Sequence, residues 1–222
     1  MRLRLCRLCL RLRRWRTVTE SNVSRHCRRD QPIQSLEILE SVKKVFMDPV
    51  TFKKAPHNPP HLFVAGAVYM LTGSIYQSAN LMQSAKRKEE WHDTFYTSAK
   101  IYKWQVSAWV VLNNHYHAIV NSPSDPTTLS KFTGSYHKFT ARKWNDEDGR
   151  NGRQVWWNYW DTCIRSERDF INRLKYVFWN PVKHGLVERP EDYPFSNYKE
   201  FMENQFGIDF TETDEVTDAP EF

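Results

Sequence analysis

The pattern of apolar and polar positions divides the chain into segments of two kinds. Two dense apolar runs, 62–72 and 104–112, are typical of buried strands. Gly66 interrupts the first run, where we expect a bulge or a close backbone approach. The Asn pair at 113–114 tolerates the positive φ of a tight turn, and apolar residues resume at 115–120. The second run and residues 115–120 therefore predict a β-hairpin.

Apolar residues at intervals of three and four predict helices elsewhere. One helix covers residues 31–47, and residues 77–103 suit one helix or two. Asp125-Pro126 is a typical helix start. The helix that follows has an apolar stripe, which consists of Leu129, Phe132, Tyr136 and Phe139. A neighbouring basic stripe consists of Lys131, Ser135, Lys138 and Arg142.

The last third of the chain predicts one more strand and one more helix. Turn-forming residues at 145–152 lead into an aromatic strand candidate at 155–160. The helix starts at Ser166 with Asp169 at the capping-box offset, and its apolar stripe consists of Phe170, Leu174, Val177 and Phe178. Proline lacks the backbone N–H of a helix interior, so Asn180-Pro181 should end or distort this helix.

The order strand, helix, hairpin, helix, strand, helix predicts an α+β fold, an antiparallel sheet with helices on one face. Prolines at 56, 59 and 60 indicate a linker before the folded part. We therefore expect three regions: a basic arm with a short helix at 1–55, a domain at 56–200, and an acidic tail at 201–222.

Charge is unevenly distributed along the chain. Residues 1–30 contain ten Arg and only two carboxylates, whereas residues 200–222 contain eight carboxylates and neither Lys nor Arg. The middle of the chain keeps an excess of six positive charges, which favours approach to polyanions. No stretch approaches the ~20 apolar residues that a bilayer requires, which excludes a membrane-spanning helix.

The amino-terminal arm allows several interpretations. Arg interrupts its apolar residues too often for a signal peptide, but an Arg-rich transit peptide and a plain basic tail both remain open. Cys6, Cys9, His26 and Cys27 could form a zinc site, although the arm lacks the hydrophobic and turn residues that such sites normally have. Together with Cys163, these thiols are expected to be free.

Two histidines are the first candidates for chemistry. His115 and His117 lie two apart on a predicted strand, so both imidazoles project from one face, and Tyr116 projects from the other. This geometry permits two ligands to one divalent ion without requiring them, and buried structural histidines would give the same pattern.

Tyr176 and Asn180 are the second pair. They lie four apart on the last predicted helix, so the phenol and the amide share one face of it. Taken separately, Tyr176 is an ordinary boundary residue of an amphipathic helix, and Asn180 is an ordinary residue before proline.

Taken together, four segments of the chain resemble the single-tyrosine HUH transposases. These segments are 113–117, 152–156, 161–165 and 176–187. The resemblance is greatest to the subgroup associated with repetitive extragenic palindromes (REP), and it covers roughly residues 61–200. The block from Tyr176 to Val187 is the most specific of the four.

The resemblance implies a ferredoxin-like palm with both histidines on a central strand and a nucleophilic Tyr176 on a later helix. It also implies a Mg²⁺ or Mn²⁺ ion held by His115, His117 and Asn180, because relatives have a polar ligand one helical turn beyond the tyrosine. The implied activity is a metal-dependent endonuclease and strand transferase that cleaves single-stranded DNA beside hairpins through a 5′-phosphotyrosine. We therefore expect an enzyme of the bacterial cytoplasm. Relatives of this kind include both dimers and monomers, so a homodimer is one expected form.

DNA binding would depend on the basic and aromatic residues, because single strands are held by phosphate neutralisation and base stacking. The candidates for phosphate contacts are Lys131, Lys138, Arg142, Arg150 and Arg153. Trp156, Trp157 and Trp160 could stack on bases, but we expect at least one of them in the core. The main alternative is a domesticated protein that binds DNA hairpins and does not cleave them.

Overall fold

A computed structural model describes residues 63–204 of the chain. The helix predicted at 31–47, the basic arm, the candidate zinc residues and most of the acidic tail lie outside the described residues. Within them, Cys163 is a free thiol, as predicted. Among residues 63–204, none of the helices combines the length and the hydrophobicity needed to cross a bilayer.

Four strands form one antiparallel sheet. They are β1 (Val68–Ile75), β2 (Gln105–Val111), β3 (His115–Asn121) and β4 (Trp156–Ile164). Their order in the sheet is β2-β3-β1-β4, so β3 and β1 are central and β2 and β4 are the edges. The predicted hairpin is confirmed as β2 and β3. The first strand starts later than expected, because Gly66 has a φ of +73° in a turn before it.

Four α-helices complete the described fold. They are α1 (Ala85–Tyr102), α2 (Leu129–Glu147), α3 (Glu167–Lys183) and α4 (Tyr198–Asn204). α1 connects β1 to β2, and α2 connects β3 to β4. This β1-α1-β2-β3-α2-β4 order and its strand order are those of a ferredoxin-like fold, which confirms the predicted α+β class. The last helix crosses the predicted boundary at residue 200, and its Phe201 is buried.

Helices cover both faces of the sheet, so the prediction of helices on one face was wrong. α1 and α2 pack together on the face that carries Tyr69, Tyr116 and Val120. α3 and α4 pack on the other face, which carries Met70, Ile119 and both predicted site histidines. We call the second face the histidine face. Periodicity shows which face of a helix is apolar, but it does not show which face of the sheet that helix covers.

Two details of the helices differ from the sequence expectation. Phe139 is 57% exposed, because the buried stripe of α2 continues through Thr140 and Trp144 instead. Pro181 lies inside α3, which continues to Lys183. After the helix ends at Lys183, the N–H groups of Gly185 and Leu186 donate to the carbonyls of Val182 and Pro181, a Schellman arrangement.

A close approach between β1 and β3 sets the spacing of the two central strands. The ring of Tyr116 lies over Gly73, so near that a Cβ at Gly73 would be 2.6 Å from the Tyr116 hydroxyl. That hydroxyl cannot withdraw freely, because it is hydrogen-bonded to the hydroxyl of Tyr136 at 2.7 Å and to Nε2 of His137 at 3.0 Å.

A Gly73→Ala substitution should therefore destabilise the fold by about 1–3 kcal/mol, the usual effect of overpacking a core. Gly134→Ala is a matched control, because a Cβ there meets nothing within 4 Å in helix α2. This control should stabilise the protein by about 0.5–1 kcal/mol. Urea unfolding measures both changes, and equal effects of the two substitutions would contradict the close packing of Tyr116 on Gly73.

Candidate active site

The turn before the two histidines is held from several sides. The N–H of Leu112 donates to the carbonyl of His115 at 2.8 Å, and the N–H of Ile75 donates to the carbonyl of Asn114 at 2.7 Å. Neither Asn113 nor Asn114 has a positive φ, so the expected conformational reason for this pair was wrong. Their side chains matter instead, because each makes a hydrogen bond that ties the turn to a neighbouring segment.

A buried lysine holds this turn against α1. Lys88 donates to the side-chain oxygen of Asn113 at 2.8 Å and to the carbonyl of Gln83 at 3.1 Å. Burial lowers the pKa of Lys88. The N–H of Met82 also donates to the carbonyl of Asn113, at 2.8 Å. The first residue of β3, His115, therefore starts from a rigid position.

His115 and His117 lie on one face of β3, as predicted, and both are almost fully buried. Their ring centroids are 5.1 Å apart. His117 lies opposite Thr72 on β1, whose hydroxyl is 2.8 Å from Nδ1 of the imidazole. This contact fixes the ring orientation and directs Nε2 away from the strand.

Helix α3 brings Tyr176 to the same place. The Tyr176 ring lies edge to face against His117, with ring centroids 5.0 Å apart. Tyr176 is half-buried, so it is packed in position and remains accessible. The histidines of a central strand and the phenol of a helix more than fifty residues later thus converge on the histidine face.

Asn180 completes this cluster. It is buried, and its Oδ1 lies 3.1 Å from Nε2 of His115. On the other side of the ring, Nδ1 of His115 lies 2.7 Å from Oδ1 of Asn114, whose amide nitrogen donates to the carbonyl of Ser78. Because Asn114 Oδ1 can only accept, Nδ1 carries the proton and Nε2 keeps its lone pair.

Two acceptors therefore face each other at His115 Nε2 and Asn180 Oδ1. A proton does not resolve this conflict near neutral pH, because burial lowers the pKa of His115 to about 4. Rotating the Asn180 amide would place an N–H on His115, but its buried oxygen would then lack a partner, as its amide nitrogen does in the orientation present. A cation between the two groups satisfies both lone pairs.

One further buried atom indicates the same chemistry. His117 Nε2 makes no hydrogen bond, although it is buried. Within residues 63–204 no group of three His, Cys, Asp or Glu side chains could hold a metal. The candidate donor set is therefore two imidazole nitrogens and one amide oxygen, and this set fits a divalent ion that completes its shell with other oxygens.

Two residues that sequence reasoning did not assign lie beside this cluster. The ring of His184 is 5.0 Å from that of His115, and Nζ of Lys183 is 5.7 Å from the centre of the Tyr176 ring. Their charges add to the effect of burial in lowering the pKa of His115 and His117. The signal was present as a helical spacing of four from Tyr176 through Asn180 to His184, but Pro181 suggested that no helix continued there.

The predicted phosphate contacts do not lie beside the cluster. Lys131, Lys138 and Arg142 are exposed on α2, which packs on the sheet face opposite the histidines. Arg150 is exposed in the loop after α2. Arg153 holds that loop, since it donates to Asn145 and forms an ion pair with Asp148 at 2.8 Å. The structure thus separates these five residues from Tyr176, and their role in DNA binding stays a prediction.

The burial of the two site histidines predicts a pH dependence of stability. Burial lowers the pKa of His115 to about 4 and that of His117 well below its usual value, while the unfolded chain keeps both near about 6.5. Between these values the unfolded state binds more protons. The free energy of unfolding should therefore fall as the pH drops from about 6.5 towards 5, by up to ~1.4 kcal/mol per pH unit for each histidine.

Urea unfolding in chelator-containing buffer at pH 7.5, 6 and 5 measures this slope. The His117→Gln variant should have a smaller slope than the unaltered chain, because one buried imidazole is gone. An identical slope in both proteins would show that His117 does not take part in the effect.

Comparison with known proteins identifies two sequence relatives, and no family model matches the chain. A REP-associated tyrosine transposase of Escherichia coli K12 is 31% identical over 97 residues, which are 43% of this chain and 54% of that protein. A Haemophilus influenzae protein proposed to be a REP-associated tyrosine transposase is 25% identical over 146 residues, which are 61% of this chain and 82% of that protein. The chain thus spans about half of the first relative and most of the second.

A solved structure shares the fold. It is that of a REP-associated tyrosine transposase bound to a REP hairpin, with a TM-score of 0.56 and 20% sequence identity. The match covers 70% of this chain and 94% of that one. In sequence and in fold, this chain is thus similar to REP-associated tyrosine transposases, the subgroup that its motifs resemble.

Proposed function

We propose that this chain is a metal-dependent endonuclease and strand transferase that cleaves single-stranded DNA beside a hairpin, with Tyr176 as the nucleophile. The observation that carries this proposal is the contact of the Tyr176 ring with His117 at a centroid distance of 5.0 Å, beside His115 and Asn180. A half-buried tyrosine next to two buried histidines gives a nucleophile and a candidate cation site in one place.

The phenol needs activation, because a tyrosine with a reference pKa of about 10 is a weak nucleophile at neutral pH. Lys183 lies over the Tyr176 ring, with its Nζ 5.7 Å from the ring centre. Its positive charge favours the phenolate form and attracts the phosphate of the substrate. Lys183 therefore has two roles: it stabilises the phenolate of Tyr176, and it attracts the DNA phosphate towards the site.

His115, His117 and Asn180 would hold the divalent ion, Mg²⁺ or Mn²⁺. When bound, such an ion supplies neutralisation of a non-bridging phosphate oxygen and helps to orient the phosphorus. The residues around the site contribute by holding the two imidazole rings in place. Thr72 and Asn114 each hold one imidazole by its Nδ1, so that both Nε2 atoms point towards the space beside Tyr176.

Cleavage then consists of one exchange at phosphorus. The Tyr176 oxygen attacks in line, a bond forms between this oxygen and phosphorus, and the bond from phosphorus to the 3′ oxygen breaks. The 3′ oxygen leaves as a hydroxyl, and the phenolic proton is released. The 5′-phosphotyrosine keeps the energy of the broken linkage, so a second 3′-hydroxyl can reverse the step and join strands without ATP.

The substrate class is suggested by the solved relative, which is bound to a REP hairpin. Lys131, Lys138, Arg142, Arg150 and Arg153 stay candidates for phosphate contacts with such DNA, remote from Tyr176. If the chain has lost cleavage, it acts as a domesticated protein that binds DNA hairpins, and the covalent intermediate distinguishes these functions.

Incubation of the full chain with a library of single-stranded hairpin DNAs and Mn²⁺ should give a covalent protein–DNA species, because attack by Tyr176 leaves DNA attached. Denaturing gel electrophoresis and mass spectrometry measure this species. Tyr176→Phe should abolish the species and leave hairpin binding unchanged. Tyr193→Phe is a control, since the Tyr193 hydroxyl is buried and donates to the carbonyl of Val111.

An adduct that persists in Tyr176→Phe would refute the assigned nucleophile. No adduct from the unaltered chain, together with hairpin binding, would support the non-catalytic binding protein instead.

His115→Ala, His117→Ala and Asn180→Ala should each reduce adduct formation by about 10- to 100-fold or more, as expected for lost metal-site residues. Hairpin binding should change by less than about threefold, because these side chains are buried and phosphate contacts dominate DNA affinity. His92→Ala is the control, since His92 lies on α1 against the opposite face of the sheet.

Gel-shift titration and adduct yield separate the two effects. A parallel loss of binding and cleavage in the His115 and His117 variants would indicate that these histidines only maintain the fold.

A further inference from the structure

Trp160 differs from the other tryptophans of the described residues in its aromatic contacts. Eight tryptophans lie within residues 63–204, and seven of them pack against another aromatic ring, namely Trp91, Trp104, Trp109, Trp144, Trp156, Trp157 and Trp179. The indole of Trp160 makes no ring contact and no hydrogen bond to the described residues, and Trp160 is 40% exposed. Its exposed indole can therefore stack on a planar group of another molecule.

The strand register places Trp160 beside the candidate active site. Trp160 on β4 lies opposite Thr72 on β1, and Thr72 lies opposite His117 on β3. Residues directly opposite each other in antiparallel strands share a face, so Trp160 lies on the histidine face. Two strand spacings separate it from His117, which is about 10 Å.

The helix above the sheet leaves this position open. Helix α3, which carries Tyr176, packs chiefly against β2 and β3, on the far side of β1 from Trp160. β4 is an edge strand, so the sheet ends beside Trp160. The indole is therefore accessible at the sheet edge, on the face on which Tyr176 lies.

We propose that Trp160 stacks on an unpaired nucleobase of the DNA strand next to the phosphate that Tyr176 attacks. The chemistry agrees with the position, since indole rings are the strongest stacking surfaces for bases and such contacts tolerate any base. Trp160 thus positions the single-stranded flank of the substrate. This inference depends on the proposed function only in that DNA passes the histidine face.

The neighbouring tryptophan gives a useful contrast. Trp157 is also half-exposed, but its ring packs on Tyr76 with centroids 5.3 Å apart. It already has an aromatic partner within the chain. Trp160 is therefore the better candidate for a base, although both lie on β4.

The test uses the Tyr176→Phe chain without divalent metal, so that neither cleavage nor the metal site affects the result. The probe is an oligothymidylate of about 20 nucleotides, longer than a typical single-domain site, with one 2-aminopurine whose fluorescence falls on stacking. Trp160→Ala in this background should weaken binding about 5- to 100-fold and remove the quenching. Trp160→Phe should restore most of both.

Phe139→Ala is the matched control, because Phe139 is an exposed aromatic residue on α2, against the opposite face of the sheet. It should leave affinity and quenching unchanged. Equal binding by the Trp160→Ala chain, or an equal loss in the Phe139 variant, would overturn the proposal. So would a change of oligomeric state on size-exclusion chromatography in Trp160→Ala with DNA binding unaltered, because Trp160 would then contact a second copy.

The stacking test and the cleavage test fail independently. An adduct through Tyr176 with no effect of Trp160→Ala would leave the proposed function intact and refute stacking. Quenching that depends on Trp160 without any adduct from the unaltered chain would support stacking in a protein that only binds DNA.

Discussion

The burial of the apolar stripe of α3 is the constraint on which the candidate active site depends. Phe170, Leu174, Val177 and Phe178 have to be covered, and the available apolar surface is the histidine face of the sheet. Tyr176 lies between two of these buried residues on the helix, and Asn180 lies one turn later. Once the stripe is buried, the phenol and the amide have little freedom, and they meet the two imidazoles.

The resulting site is unusual in its electrostatics. The polar atoms that meet at its centre are two neutral imidazoles and an amide, and Lys183 adds positive charge beside them. Such a group of neutral donors binds a cation less strongly than carboxylates would. It also repels an anionic phosphate less than carboxylates would. Under the proposed function, this balance would allow a cation and a phosphate to occupy the site together.

Much of the fold and part of the site could be predicted from sequence periodicity. The hairpin, a helix within 77–103, the helices after Asp125 and Ser166, and the sharing of one face by the two histidines all depend on backbone repeats of 2 and 3.6 residues. Errors occurred where tertiary packing overrides local preference. Pro181 was expected to end or distort α3, and the helix continues to Lys183 because its last turn is fixed by Asn180 and by the Schellman closure at Gly185.

The sequence by itself determined which side chains share a face of one strand or one helix, because those relations follow from local backbone geometry. It also carried the motifs that resemble those of the REP-associated tyrosine transposases. Only the tertiary structure decided that α2 and its basic residues lie on the face opposite the histidines, that His184 and Lys183 join Tyr176, and that Trp160 lies in register with His117. The physical reason is that these relations depend on which apolar surfaces bury each other across long separations in the chain, and local periodicity contains no information on that choice.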